Sequence, residues 1–497
     1  MKKRQSTGFQ LATMSGIQVW NQAVNLLKVM VITRAFTITQ YSTYTKMLLI
    51  LDFAFAILVL NIPSAANYFV AKSSNSYEKG TFLYNYYWLC TITGIGVGVL
   101  LFFITPILSY VLHNDGIVQY RWYLLITPLL QIIPKATIYV LTSQNKAHLS
   151  AVISFISSSL LLIALLVVAK TDNSFTLCLI AMLVVEGIQS IVGYIIGCNS
   201  IGGLKNIVLS HYHVSSTIIK SIYKYAIPVG ISSIILMINT RIDKLFVSVS
   251  CPDYYYAIYA NASKELPISV LSVAASSVIV PKLVGFLKKN DSLSAIKAWK
   301  ETYRLITVCA FLLLAGVFVF APEVMKILYS EKYSEGISIF RIYLFLIPFH
   351  CINYGLILNA LGKTKYILGS SVISLILNLI LDFVFFQFMG VIGLGVATII
   401  SAAVMAIVEM YFSSRLMNTS LTNMLQPAFL LKISILNIVF AVVFSLIERY
   451  LSIDIYIGDI GEALLLGTIW SLLYLGLMFK SIKRQCRSLN SLDSERK

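Results

Sequence analysis

The sequence predicts an all-α integral membrane protein of about fourteen transmembrane helices, and three observations carry that reading. Apolar residues fill 58% of the 497 positions, more than a soluble fold of this size uses. Apolar stretches of about 20 residues, the length that crosses a bilayer core, recur from end to end. Basic residues gather in alternate connections. The chain holds 38 Lys+Arg against 21 Asp+Glu, a net +17, and that placement makes the surplus an orientation signal instead of a nucleic-acid footprint.

The first span, 11–33, is apolar yet contains Gln18, Asn21, Asn25 and Lys28, spaced three, four and three residues apart. On a helix they form one polar stripe. The second span, 42–63, ends on Pro63. Spans three to six are 82–110, 117–142, 147–169 and 174–198, joined by short reversals except for the connection before the third. Within the fourth, Pro134 removes a helix hydrogen bond beside Lys135 and marks a hinge. Spans seven and eight, 225–249 and 255–281, are framed by Pro228 and Pro281. The remaining six are 305–321, 336–360, 366–388, 391–412, 428–447 and 461–479.

Two inner connections are long. The stretch 201–225 reads as a linker between six-helix halves, and 282–304 as an amphipathic surface helix with Leu293, Ile296 and Trp299 apolar and Lys297 and Lys300 solvated. The expected division is an N-lobe at 1–200, a cytoplasmic linker at 201–224, a C-lobe at 225–415, and two further spans with a basic tail at 416–497. The tyrosine runs YNYYW (84–88) and DYYYAIY (253–259) fit interfacial belts at span starts. No cleavable signal peptide is expected, since the first span is too long and no small-residue cleavage site follows it.

Charges inside spans are the main functional signal, because each costs about 2.5–3.5 kcal/mol at a helix centre unless it meets protein or water. Nine are basic (Lys28, Lys46, Arg121, Lys135, Arg241, Lys244, Lys264, Arg341, Lys432) and six acidic (Asp52, Glu186, Asp243, Glu265, Asp382, Glu409). The cationic surplus favours an anionic cargo. Arg121, Arg341 and Lys432 lie near span ends and can snorkel. Gln18, Asn21, Asn25, Lys28, Lys46, Lys135, Arg241 and Lys264 are the candidate lining of a water-filled vestibule, amides toward sugar hydroxyls and cations toward phosphate. For the amides alone, hydrogen bonding to a neighbouring helix is the competing account. Asp52, Glu186, Asp243 and Asp382 are the candidate ion-coupling carboxylates, with Asp243 favoured for its nearness to Arg241 and Lys244. Local ion pairing accounts equally well for Asp243, and for Glu265 beside Lys264.

An internal repeat is visible across these positions. An offset of 213 residues lays Lys28 on Arg241, and one of 218 pairs Tyr41 with Tyr259, Lys46 with Lys264 and Pro63 with Pro281. Metal and nucleotide chemistry find no support. The 7 cysteines form no C-x-x-C pair, His211 and His213 are not spaced with carboxylates for a metal, and no phosphate-binding G-x-x-x-x-G-K-[ST] loop occurs. No cofactor is expected beyond a coupling proton or sodium ion.

The segments YAIPVGISSIILMINTRIDKLFVS and YYYAIYANASKELPISVLSVAASSVIVPKL resemble spans seven and eight of polysaccharide flippases of the Wzx type, within the multidrug/oligosaccharidyl-lipid/polysaccharide exporter superfamily. Pro228, Ile242 to Lys244, Ala257, Tyr259 and Pro281 carry the likeness. It implies two pseudo-symmetric six-helix lobes plus two C-terminal helices, with a cationic cavity between the lobes. It also implies a flippase that moves an undecaprenyl-pyrophosphate-linked oligosaccharide, O-antigen or a related repeat unit, to the periplasmic leaflet of a bacterial inner membrane by alternating access. The partners implied are the lipid-linked oligosaccharide, membrane lipids and polysaccharide polymerase machinery; nucleic acid is not among them. A drug/cation antiporter of the same superfamily is the alternative transporter, although its cavity should be acid-dominated. A membrane glycosyltransferase or polymerase is the enzymatic alternative, and no outer connection is long enough to present an active site for one.

With the N-terminal MKKR inside, inner connections and tails hold 24 of the 38 basic residues and outer connections hold 5. This partition predicts both termini in the cytoplasm. Reporter fusions after Lys480 should be active only with a cytoplasmic reporter; activity of a periplasmic reporter there would overturn the topology.

Overall fold

The computed structural model describes residues 7–73, 75–144, 146–171, 174–203, 212–264, 266, 269–451 and 454–494. Every regular element among the described residues is helical. Among the described residues, eleven helices are long and apolar enough to cross a membrane, or 12 if Glu331–Leu344 and Ile347–Ala360, bent by 51°, form one span. The two other expected spans differ for physical reasons. Helix α1 (Thr7–Ala35) has the length, but its amide stripe dilutes its apolarity. The eighth span is interrupted, its helix stopping at Ala262 and resuming at Ser269; Glu265 and Pro267, inside the break, lie outside the described residues.

Contacts divide the chain into two compact units, residues 1–257 and 258–497. The boundary falls after the expected linker because α7 (Ser216–Ser250) packs on α2 (Ile38–Leu58) and α3 (Ser76–Val111). Residues 204–211 of that linker, including His211, lie outside the described residues. In the first unit α3 packs against α4 (Arg121–Ser143), α4 against α6 (Phe175–Ile201), and α1 against α5 (Ala147–Thr171). Glycine allows the α3 and α4 backbones to approach: a Cβ at Gly98 would sit 2.0 Å from the Leu125 carbonyl oxygen, and one at Gly94 2.9 Å from Leu129 Cα. Thr37 opens α2 with a capping box closed by Gln40. Helix α4 runs unbroken through Pro128 and Pro134, so the expected hinge beside Lys135 is a helical residue here.

The tyrosine runs divide between core and surface. Tyr86, Tyr87, Tyr256 and Tyr259 are buried, whereas Trp88, Tyr254 and Tyr255 are exposed as a belt would require, and the Tyr86 hydroxyl donates to the Pro63 carbonyl at 2.7 Å. Buried hydroxyls need partners, and this one pins the turn after α2.

In the second unit, the expected surface helix at 282–304 is the opening of a longer one, α10 (Ser292–Val319), capped by Asp291. Leu293 is 82% exposed, whereas Ile296 and Trp299 are buried in a core with Met410, Met417 and Met424. The residues expected on a lipid surface therefore split between solvent and core. Helices α13 (Pro427–Leu451) and α14 (Asp454–Ser494) pack on α10 through Phe440, Phe444, Trp470 and Tyr474. A polar seam, Ser370, Ser374, Asn378 and Asp382, runs buried at four-residue spacing along α11 (Thr364–Met389). It faces α12 (Val391–Leu416): Ser374 donates to the Ser401 carbonyl at 3.1 Å and Ser370 to Glu409 at 3.1 Å.

Lys46 does not line a vestibule. It is fully buried, paired with Asp253 at 2.7 Å, and donates to the Leu112 carbonyl at 2.5 Å. Ser42 and Asn114 donate to the same carboxylate at 2.8 and 2.7 Å. A desolvated ammonium can stay charged only with such a shell, which ties α2 to the loop after α3 and to the residues following α7. Removing one partner strands the other, at a cost of about 3–5 kcal/mol. In detergent, Lys46→Met should lower the unfolding temperature strongly, and adding Asp253→Asn should recover part of the loss. A double variant as unstable as the sum of the singles would show that the pair contributes nothing.

Candidate functional site

Five charged side chains of the first unit fall into alternating order. Arg241 on α7 pairs with Asp52 on α2 at 3.2 Å. Asp52 lies within electrostatic reach of Lys135 on α4, whose Nζ stands 3.7 Å from the centre of the Phe55 ring. Lys135 is in turn in reach of Glu186 on α6, which also faces Lys28 on α1. The sequence Lys28, Glu186, Lys135, Asp52, Arg241 thus runs plus, minus, plus, minus, plus across five helices. Each acid is shared by two cations and one positive charge is left over.

Exposure separates this relay from the buried Lys46 pair. The Arg241 and Asp52 side chains are 41% and 45% exposed, and Lys135 is exposed as well. A solvated ion pair is worth about 0–1 kcal/mol. An incoming dianion can therefore replace Asp52 at Arg241 for little cost, which the Lys46 pair does not permit. Among membrane helices, exposed charges face water or protein, so the face they share is wet.

Glu186 is the most constrained member. Gln131 Nε2 donates to its Oε1 at 2.9 Å, while Oε2 is buried without a hydrogen-bond partner among the described residues. Gln131 lies one turn before Lys135 on α4, and the sequence reading missed it because a lone glutamine between apolar residues carries no charge signal.

The other expected site residues are distributed differently. Asn21 accepts a hydrogen bond from Ser158 Oγ at 2.8 Å, next to Trp20, which donates to Ser159 at 3.1 Å and stacks on Phe155. In this structure Asn21 joins α1 to α5. Asn25 is exposed. The side chain of Gln18 lies outside the described residues. Asp243 is buried, and the carboxylate that pairs with Arg241 is Asp52, one helix away. Lys264 and Asp382 belong to the second unit. Lys264 sits in the helix break beside a cavity of about 20 Å³ shared with His350, room for one water. Asp382 is buried, with Asn378 Nδ2 3.4 Å from its Oδ1. The second unit also contains an apolar cavity of about 830 Å³ lined by Phe311, Leu314, Phe349, Ile407, Leu430 and Ile438 among others.

Comparison with known proteins places this arrangement in a family context. Over 219 residues the chain is 26% identical to the probable low-salt glycan biosynthesis flippase Agl15 of Haloferax volcanii, covering 43% of this chain and 46% of that protein. The chain thus spans less than half the length of this curated relative. In fold it is similar to the lipid II flippase MurJ in an inward closed conformation, with a TM-score of 0.73 at 16% identity over 94% of this chain and 99% of that one. It is also similar to an inward-facing multidrug resistance MATE transporter of the MOP superfamily, with a TM-score of 0.67 at 13% identity over 82% and 98% of the two chains. Residues 31–338, more than half of the sequence, match the family described as polysaccharide biosynthesis protein. The chain belongs to that family and is similar in fold to MurJ and the MATE transporter.

Proposed function

We propose that this protein is a flippase, not an enzyme, that carries a lipid-linked oligosaccharide across the membrane by alternating access, with pyrophosphate between lipid and sugar as the group it grips. The single observation behind the reading is the alternating relay, three cations sharing two carboxylates, with Lys135 and the Asp52 and Arg241 side chains exposed. Charge-assisted hydrogen bonds from Lys28, Lys135 and Arg241 suit a pyrophosphate. The named activities of the relatives, glycan biosynthesis flippase and lipid II flippase, point to the same class of cargo. An isoprenoid carrier such as undecaprenol, an O-antigen-type repeat, delivery to a polymerase machinery, a bacterial inner membrane and cytoplasmic termini complete the proposal. The apolar cavity of the second unit offers space for part of a lipid chain.

Coupling is assigned to Glu186 and Asp52, since these acids hold the cargo-binding cations. Protonating them frees the cations for phosphate, and ionising them competes with the cargo and promotes its release. Glu186 is the stronger candidate because its buried Oε2 has no hydrogen-bond partner among the described residues. Asp243 and Asp382 are buried and remain proposed supports of the cycle.

The fold likeness to MATE transporters makes drug/cation antiport the second reading, and the excess of cations in the relay speaks against it. In reconstituted vesicles, the protein should translocate pyrophosphate-linked oligosaccharide lipid, and an imposed pH or sodium gradient should accelerate it. Glu186→Gln should abolish the gradient response while the protein stays in the membrane. Export of a cationic dye with no movement of the glycolipid would replace this reading with antiport.

A further inference from the structure

A second cationic cavity, in the second unit, has no part in the relay. It measures about 480 Å³ and is lined by Arg304 of α10, Lys432 of α13, and Lys480, Arg484 and Gln485 of α14, with Phe429 on its wall. That volume suits a small-molecule site, since such sites run from about 300 to 1,000 Å³. No carboxylate lines it among the described residues. Arg304 is held in place from behind, donating through Nε to Gln426 Oε1 at 2.6 Å and lying 3.4 Å from Glu301.

One buried amide of the lining supports a ligand there, and a second, outside the lining, lies beside Arg304. Gln485 is 1% exposed, and its Oε1 has no partner while Nε2 donates to Ser481 at 3.3 Å. Rotating that amide turns the unpartnered atom into an N–H donor, with Ser481 Oγ donating to the oxygen instead. Gln426 Nε2, buried beside Arg304, is likewise without a partner. Unused buried donors beside clustered cations form a binding site for an oxyanion.

The surroundings identify an amphiphile as the occupant. Leu431 and Leu477, next to the cations on α13 and α14, are each 62% exposed, and Phe479 is 60% exposed. Apolar surface on membrane helices meets acyl chains, and a basic pocket at its edge meets a headgroup.

We propose that this cavity binds the headgroup of an anionic phospholipid, its phosphate on Lys432, Lys480 and Arg484 and its acyl chains along α13 and α14. The two C-terminal helices, which are additional to the two six-helix lobes, thereby acquire a role as a lipid-binding module.

The purified full-length protein in a neutral detergent should show a saturable rise in unfolding temperature with phosphatidylglycerol, and none with phosphatidylcholine of the same acyl chains or with inorganic phosphate. The triple variant Lys432→Gln, Lys480→Gln, Arg484→Gln should bind phosphatidylglycerol about 100-fold more weakly. The charge-retaining set Lys432→Arg, Lys480→Arg, Arg484→Lys should still respond. A rise with inorganic phosphate alone would reassign the cavity to a free anion, and an equal rise with phosphatidylcholine would overturn the headgroup claim. Undiminished affinity in the triple variant would place the lipid elsewhere. Should that variant not fold, the wild-type selectivity between the two lipids decides.

Discussion

A charge inside a membrane protein must be paired or wet, and this constraint organises the molecule. It is met in two ways in the first unit. Lys46 is sealed with Asp253, Ser42, Asn114 and a backbone carbonyl, so its charge is spent on holding helices together. Lys28, Lys135 and Arg241 instead lie within electrostatic reach of Glu186 or Asp52; Lys28 and Glu186 are half-buried, whereas Lys135 and the Arg241 and Asp52 side chains are exposed, so the Arg241–Asp52 pairing is weak enough to exchange. The same residue type thus serves structure at one position and binding at another, and solvent access makes the difference.

Neutral polar groups obey a milder version of the rule. Asn21 and Ser158 join α1 to α5, and the Ser370 to Asp382 seam joins α11 to α12. Each such bond is worth about 0.6 to 2 kcal/mol in a membrane, enough to fix a helix pair and too little to trap it. The proposed transport cycle would need that balance in helices that slide. Glycine contacts at Gly94 and Gly98 let α3 and α4 approach closely, and a hydrogen bond between the Tyr87 hydroxyl and Thr137 Oγ1 at 3.0 Å adds to them.

Much of this was legible in the sequence. Apolar periodicity located the helices, and counting intramembrane charges singled out Lys28, Lys135, Arg241, Asp52 and Glu186, all five members of the relay. What sequence reasoning could not supply was partnership. Asp243 is two residues from Arg241, yet Arg241 pairs with Asp52 on α2, a partnership that no local pattern shows. Asp253 lay in a tyrosine run that resembled an interfacial belt, and no local pattern ties it to Lys46, 207 residues away. The interruption after Ala262 is marked in the sequence only by Lys264, Glu265 and Pro267, which also fit ion pairing and a bend within a continuous span. The α11 seam, by contrast, was there to be found: its four-residue spacing is the same kind of signal as the amide stripe of α1, carried by serines that hydropathy hardly registers.

The central claim is that the relay cations grip a pyrophosphate. Its most direct test is the affinity of the purified protein for a pyrophosphate-linked lipid, measured in nanodiscs for wild type and for Lys28→Gln, Lys135→Gln and Arg241→Gln, with the same lipid lacking phosphate as control. The account predicts a drop of about tenfold or more for each variant, partial recovery with Arg241→Lys, and no effect on the control lipid. Unchanged affinity in all three glutamine variants would contradict it and leave the relay a structural ion network.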